Sequence, residues 1–286
     1  MWKIRWSRLC AALIALIPLV AAAHGATVQD KMIDVGGKRL HFRVSPGCAP
    51  TIVLEAGGGL DAAQWDKLQP QLSEATGAAV VSYDRAGFGT SDLPTTKYSL
   101  EDQVAWLRQG LMKLGVPHEV VLVGHSYGAF LSQLYARHNP AAAQAVVLID
   151  PNTVAFIDAI GGPQVIPVNI PADMPRKLAA ATERMRDSMF ETVAAVRQAP
   201  LSTSIPVTVI AADQRWLPVD DWNDKFDAAR RSLVNGIANR RLVVAKGSGH
   251  LVTVDRPDVV LSAIETAVND ARRNHPNLAC SAANSK

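Results

Sequence analysis

The chain has 286 residues, of which 48% are hydrophobic and 19% are charged, and it contains no run of five like charges. This composition is sufficient for a sizeable core, and it excludes a disordered, collagen-like or coiled-coil protein. Lys3, Arg5 and Arg8 account for the whole net charge of +3. The rest of the chain has equal numbers of basic and acidic residues, so its overall charge does not favour nucleic acid or an anionic membrane as a partner.

Residues 1–25 have the organisation of a secretory signal peptide. The three basic residues precede an uncharged apolar stretch, Leu9–Ala23, which ends in three alanines. A positive start, an apolar middle and a small-residue exit predict cleavage after Ala23 or Gly25. Pro18 interrupts the stretch, which is shorter than the roughly 20 apolar residues that span a bilayer, so we expect no stable membrane insertion after cleavage. The protein is therefore predicted to be secreted or periplasmic.

Two cysteines, Cys48 and Cys280, remain after the predicted cleavage. An exported chain can oxidise its cysteines, so one bridge could tie the C-terminal tail to the N-terminal region. Two unrelated thiols are the alternative, and the sequence leaves both open. The Cys and His residues have no metal-ligand spacing, so we expect no metal site.

Short β-branched runs alternate with longer helical segments along residues 26–286. This alternation predicts a single α/β domain with a mostly parallel central sheet and helices on both faces. The predicted strands are a hairpin arm at Lys38–Val44, then Thr51–Glu55, Ala79–Tyr83, Val120–Val123, Ala145–Ile149, Val207–Ala211 and Arg241–Ala245. The predicted helices are Ala62–Ala75, Leu100–Leu114, Tyr127–His138, Asp221–Asn235 and Pro257–Arg273.

One interval, about 152–204, separates two strands by far more residues than the others. Its first part is rich in glycine and proline and is predicted to be loop-like, whereas about Pro175 to Arg197 is predicted to form one long helix. One apolar stripe at helical spacing contains Leu178, Met185, Met189, Val193 and Val196. A connection of this length is usually functional, so we predict a small helical cap over a pocket.

The segment Gly124-His125-Ser126-Tyr127-Gly128 lies between a predicted strand and a predicted helix. A strand-to-helix turn with glycine two residues before and after a serine forces the serine backbone into strain and exposes its hydroxyl. The amide groups at the start of the helix lie beside any oxyanion that forms there. This pattern predicts that Ser126 is a nucleophile.

A serine nucleophile needs a base to take its proton, and the chain offers seven histidines. His250 is the candidate, because it lies on the loop between the last predicted strand and the last predicted helix. Ligands bind at such loops, beyond the carboxyl ends of parallel strands. The other six histidines lie in the signal segment, in the hairpin, in the strand-to-helix turn Gly124–Gly128 (the nucleophile elbow), or near ends of helices and strands.

With these residues in place, the sequence resembles the α/β-hydrolase superfamily over nearly all of the mature chain. Besides the elbow, the matching pieces are Leu54–Gly59 with Trp65, Tyr83–Ser91, and Gly249-His250 followed by Asp255-Arg256-Pro257. The resemblance implies the α/β-hydrolase fold and hydrolysis without a cofactor. A serine at the elbow argues against the epoxide and halide branches, whose nucleophile is a carboxylate. The turn at Asp84-Arg85 is expected to be structural, with no catalytic role.

The resemblance also implies an oxyanion hole. The family uses the amide after the nucleophile, here Tyr127, and one amide from the loop after the first central strand, for which Gly58 is the candidate. Glycine in that loop permits close backbone approach to a tetrahedral oxyanion.

The acid that would orient His250 is where the chain departs from the family pattern. The family most often places this acid just after the strand that follows the cap. In this chain that position is occupied by Arg215, and the nearest acid, Asp213, lies two residues before it. A minority of the family takes the acid from the preceding strand end, where Asp150 stands. We favour Asp150, with Asp213 as the alternative and Asp220 or Asp221 as the remaining candidates; each keeps the chain order serine, acid, histidine.

These residues predict a carboxylesterase-like serine hydrolase that cleaves a small or medium carboxylic ester, a small-molecule substrate, through an acyl-enzyme. The same parts serve lactonases, thioesterases, amidases, carbon–carbon hydrolases and acyltransferases. A non-catalytic, ligand-binding member of the fold is a further alternative.

Overall fold

The computed structural model describes residues 27–168 and 170–280, which contain an eight-stranded sheet. The predicted signal peptide, residues 1–25, lies outside the described residues. The strands are β1 Gln29–Asp34, β2 Arg39–Ser45, β3 Cys48–Glu55, β4 Ala78–Tyr83, β5 Val120–His125, β6 Ala143–Ile149, β7 Val207–Ala212 and β8 Arg240–Ala245. Their order across the sheet is β1-β2-β4-β3-β5-β6-β7-β8. The pairs β1/β2 and β2/β4 are antiparallel, and the others are parallel.

The central strands are buried on both faces of the sheet. Every residue of β4, β5 and β7 is buried, as expected for near-continuous apolar runs without polar alternation. Val121 and Val123 pack on one face in a core with Trp65. Leu122 packs on the other face in a core with Phe130. The prediction of a mostly parallel sheet covered on both faces is confirmed.

Nine α-helices lie within the described ranges: α1 Leu68–Thr76, α2 Leu100–Leu114, α3 Gly128–His138, α4 Val154–Ala159, α5 Arg176–Asp187, α6 Met189–Gln198, α7 Asp220–Ser232, α8 Val252–Asp255 and α9 Pro257–Asn274. The helix predicted at Ala62–Ala75 is divided into a 3-10 turn, Ala62–Trp65, and α1. The Ala62 N–H donates to the Asp84 carboxylate, which ties that turn to the loop after β4. No helix in this part of the chain is both long and apolar enough to cross a bilayer.

The 152–204 segment contains α4, α5 and α6, so one prediction for it is wrong and another is wrong in part. The part expected to be loop-like begins with α4, whose first turn is capped by the Thr153 side chain. The single helix expected over Pro175 to Arg197 is broken at Ser188, whose φ of −84° and ψ of 1° leave the helical region. The Ser188 hydroxyl donates to the Met185 carbonyl, an alternative to regular helix that serine side chains favour. The break separates α5 from α6, whose residues Met189 and Val193 are buried in the core.

Cys48 and Cys280 form a disulfide with their Cα atoms 5.3 Å apart. The bridge joins the start of β3 to the tail that follows α9. Arg272 supports the same junction by donating to the carbonyls of Ala49 and Thr76. The tail is thereby fixed at the amino end of β3, away from the carboxyl ends of the strands.

Candidate active site

The turn between β5 and α3 holds Ser126 in a backbone conformation that a serine rarely adopts. Its φ is +51°, in the left-handed region that costs a non-glycine residue roughly 1–2 kcal/mol. A Cβ atom on Gly124 would lie 2.6 Å from the Gly128 carbonyl, and one on Gly128 would lie 2.6 Å from the Ala56 carbonyl. Both glycines are therefore required for the close approach of α3 to β3 and β5.

Three side chains meet at the carboxyl ends of β5 and β6. His250 Nε2 lies 2.9 Å from Ser126 Oγ, and His250 Nδ1 lies 2.7 Å from Asp150 Oδ2. An ionised carboxylate only accepts hydrogen bonds, so Nδ1 carries the ring proton and Nε2 is free to accept the serine proton. Three side chains hydrogen-bonded in this way can activate a serine as a nucleophile.

Asp150 is fully buried and has a partner for each carboxylate oxygen. Oδ1 accepts the Ala212 N–H at 2.9 Å and the Arg230 guanidinium, while Oδ2 faces His250. Burial pushes the pKa of Asp150 up, but the His250 hydrogen bond and the positive charge of Arg230 together hold it below its ordinary value. The carboxylate is therefore ionised beside the imidazole.

The other candidate acids lie elsewhere. Asp213 is exposed and accepts the Gly247 N–H at 3.2 Å. The Asp220 side chain is 99% exposed, and Asp221 forms an ion pair within α7. Arg215, which occupies the family's usual acid position, pairs with carboxylates of α7. The structure thus places Asp150, rather than Asp213, against the His250 ring.

The loop after β3 lies beside Ser126. The Gly57 N–H donates to the Gln64 side chain at 2.9 Å. By contrast, the N–H groups of Gly58 and Tyr127 have no acceptor among the described residues. A Cβ atom on Gly58 would lie 3.5 Å from the Cβ of Tyr127 and 3.3 Å from the Met185 methyl group. Two unpaired backbone donors therefore lie near the serine, beneath a methionine of α5.

His125, the residue before Ser126, has a contact that its place in the motif does not reveal. Its Nε2 lies 3.0 Å from the His250 carbonyl, and its ring lies directly under Gly57, where a Cβ atom would be 2.7 Å from Nδ1. One side chain thus contacts both loops of the site. Burial, together with the proximity of His250, lowers the pKa of His125 to about 4, so its ring is neutral at physiological pH.

Trp216, on the loop between β7 and α7, covers one face of the His250 ring. The two ring centroids are 3.9 Å apart, with 22° between the planes. The Asn223 side chain holds this loop by accepting the N–H groups of Trp216 and Leu217 at 3.1 Å. The tryptophan therefore shields His250 from water and limits the movement of its ring.

Sequence reasoning missed Arg230 and Trp216 as parts of this site. Arg230 follows Phe226 by four residues, so the two share one face of α7, and both are buried. A cation on an otherwise core-facing stripe is the signal that could have drawn attention to Arg230, because a buried charge needs a partner. No local pattern links Trp216 to His250.

The amino-acid sequence matches a known protein family. Residues 52–263, which contain Ser126, Asp150 and His250, match the model of the Alpha/beta hydrolase family. The chain belongs to the alpha/beta hydrolase family. The family indicates a hydrolytic enzyme, and similar solved structures share its α/β fold.

This alpha/beta hydrolase is similar to the uncharacterized protein YqjL of Bacillus subtilis (strain 168), at 28% identity over 243 residues, which cover 82% of this chain and 90% of YqjL. It is 32% identical over 130 residues to a proline iminopeptidase of Heyndrickxia coagulans, with 43% of each chain covered. The crystal structure of a probable hydrolytic enzyme from Pseudomonas aeruginosa PAO1 has a TM-score of 0.66 at 16% identity, covering 85% of this chain and 94% of that one. The last likeness concerns the fold alone.

The neutral, buried His125 predicts an acid-sensitive fold. Because its folded-state pKa is about 4 and its unfolded value about 6.5, only the unfolded chain binds the proton between these values. The contribution is fully present above pH about 6.5 and is lost as the pH falls to about 4. The free energy of unfolding should therefore decrease by about 3 kcal/mol more in the wild type than in His125→Gln over this window.

Denaturant unfolding at a series of pH values measures this difference. Ser132→Ala, which changes a buried but non-titrating side chain of α3, is the control and should keep the wild-type dependence. Parallel curves for the wild type and His125→Gln would contradict the prediction.

Proposed function

We propose that this protein is a serine hydrolase that cleaves a small or medium carboxylic ester through an acyl-enzyme. The observation that carries the proposal is the position of the His250 ring, with one nitrogen 2.9 Å from Ser126 Oγ and the other 2.7 Å from the ionised Asp150. This arrangement supplies a nucleophile, a base and an orienting acid.

In the first step, Ser126 Oγ attacks the ester carbonyl carbon while His250 Nε2 takes the hydroxyl proton. The imidazole becomes a cation, and the negative charge of Asp150 stabilises it without receiving a proton. Because Arg230 and the Ala212 N–H hold the other oxygen of Asp150, the carboxylate cannot rotate away from the ring. The buried ion pair with Arg230 therefore fixes the direction of the acid.

The carbonyl oxygen becomes an oxyanion during the attack. The N–H groups of Gly58 and Tyr127 are assigned to bind it, since neither is engaged within the described chain. The Tyr127 amide also lies at the start of α3, where the helix dipole favours negative charge.

Collapse of the tetrahedral intermediate breaks the ester bond, and the proton on His250 Nε2 passes to the leaving alkoxide. Water then attacks the acyl-enzyme, His250 takes its proton, and the carboxylic acid is released with Ser126 Oγ reprotonated. Each proton taken by the imidazole is returned, so the cycle needs no cofactor.

The surroundings of the triad favour an uncharged, moderately apolar substrate. Met185 lies over Gly58, Trp216 covers His250, and the partly exposed side chains of Leu60 and Leu251 lie next to the two loops. Methionine adapts its shape to variable apolar groups. An apolar acyl group would bury this surface, whereas a charged one would find no partner in these four side chains.

Ester cleavage by Ser126 is tested with p-nitrophenyl esters of graded chain length. The wild type should release p-nitrophenol and be labelled by a fluorophosphonate. Ser126→Ala should lose labelling and nearly all turnover, a loss on the order of 10⁵–10⁶-fold in kcat.

The matched control is Ser132→Ala, which removes another buried serine hydroxyl of the same region and should retain activity. If the wild type turns over no ester faster than Ser126→Ala and takes up no label, the esterase proposal is wrong. Turnover of a lactone or an aryl amide in the same assay, with no ester turnover, would move the assignment to that bond.

We infer in addition that the chain is exported, because residues 1–25 have signal-peptide organisation and the Cys48–Cys280 disulfide suits an oxidising compartment. The chain recovered from the periplasm or the medium should begin at His24 or Ala26 when its N-terminus is sequenced. Recovery of the chain only inside the cell, still beginning at Met1, would contradict export.

A further inference from the structure

The side chain of Arg85 reaches from the turn after β4 to the loop after β3. It is buried, with 2% of its surface exposed. Its Nη1 donates to the Ala56 carbonyl at 2.5 Å, and its Nη2 donates to the Gly57 carbonyl at 2.6 Å. The planar guanidinium therefore fixes two successive carbonyls of one loop, which a single ammonium group cannot do with the same geometry.

The direction of the Gly57 carbonyl determines the direction of the Gly58 N–H. The peptide bond between Gly57 and Gly58 is trans, since Ala49-Pro50 is the one cis peptide bond in the described part of the chain. In a trans peptide the carbonyl and the following N–H point in opposite directions. With its carbonyl held by Arg85, this peptide directs the Gly58 N–H away from the guanidinium.

Two further observations connect Arg85 with the proposed oxyanion hole. The guanidinium carbon lies 5.5 Å from the centroid of the Tyr127 ring, so the same group contacts the residue that supplies the second donor. The Gly57 N–H donates to the Gln64 side chain, so of the two adjacent N–H groups of Gly57 and Gly58 only that of Gly58 is unpaired within the described residues. Arg85 thus contacts the loop that supplies one proposed donor and the side chain of the residue that supplies the other.

The buried cation lies near a buried acid, Glu55, at the end of β3. Burial raises the pKa of Glu55 to about 7, while the charge of Arg85 and a hydrogen bond from Tyr83 oppose the rise. Tyr83 donates to Glu55 Oε1 at 2.8 Å. The arginine, the nearby acid and the two backbone acceptors thus form one buried polar network, which joins the turn after β4 to the loop after β3.

We propose that Arg85 is the positioning residue of the oxyanion hole: by holding the Gly57 carbonyl, it aims the Gly58 N–H at the oxygen of the tetrahedral intermediate. This role rests on the proposed function, because it needs an oxyanion to form at Ser126. Arg85 does not touch the substrate, and its effect passes through the Gly57–Gly58 peptide. The turn at Asp84-Arg85 therefore has a role in the chemistry beyond its structural one.

The test compares Arg85→Met and Arg85→Lys with the wild type on a p-nitrophenyl ester and on its thionoester, in which sulfur replaces the carbonyl oxygen. Sulfur accepts hydrogen bonds poorly, so an aligned oxyanion hole favours the ester. Arg85→Met should lower kcat on the ester by about 10- to 1000-fold with little change in KM, since the donor acts on the transition state. Its preference for ester over thionoester should fall as well. For Arg85→Lys, both kcat and this preference should lie between those of the wild type and of Arg85→Met.

Arg272→Met is the matched control, because Arg272 also holds two backbone carbonyls, those of Ala49 and Thr76, at the other end of β3. It should leave the preference for ester over thionoester unchanged. If Arg85→Met does not fold, Arg85→Lys keeps the buried charge beside Glu55 and decides the question alone.

An unchanged ester-to-thionoester ratio in every folded Arg85 variant would overturn the positioning role, even where kcat falls, and would leave the esterase proposal standing. Absence of ester turnover in the wild type would instead remove the esterase proposal itself.

Discussion

The rest of this structure depends on one arrangement: an imidazole held between a strained serine and a buried carboxylate. Ser126 is kept in the left-handed region by two glycines that allow α3 to lie against β3 and β5. Asp150, the next strand end along the sheet, also has a positive φ, of +40°. Two neighbouring strand ends with unfavourable backbone conformations therefore aim their side chains at the same ring, and the packed sheet supplies the stability that maintains both.

A buried arginine lies on each side of the site. Asp150 is paired with Arg230, and the loop after β3 is held by Arg85 with Glu55 nearby. A buried ion is unfavourable unless it is paired and hydrogen-bonded, so these groups add little net stability and instead fix directions. Arg230 holds an oxygen of Asp150, which orients the His250 imidazole. Arg85 holds the Gly57 carbonyl oxygen, which orients the Gly58 amide in the same way. We interpret both arginines as devices of preorganisation.

Much of this could be predicted from the sequence, for physical reasons that also explain the failures. Continuous apolar runs identify strands buried on both faces, and glycine spacing identifies the turn at Ser126, because both are local requirements. The choice between Asp150 and Asp213 is not local, since both follow neighbouring strands and the position of the His250 loop decides between them. The break at Ser188 leaves no mark in the sequence pattern, because the apolar stripe keeps its helical spacing from α5 into α6. The contacts of Arg85, Arg230 and Trp216 join residues distant in sequence, and no pattern of spacing records them.

The proton on His250 Nδ1 gives the most direct measurement of the central arrangement. With ¹⁵N-labelled histidine, the wild type should show a far-downfield imidazole N–H resonance, because the ring donates a short hydrogen bond to an ionised, buried carboxylate. We predict that this resonance persists in Asp213→Asn and is lost in Asp150→Asn. Its survival in Asp150→Asn, with loss in Asp213→Asn, would contradict the account.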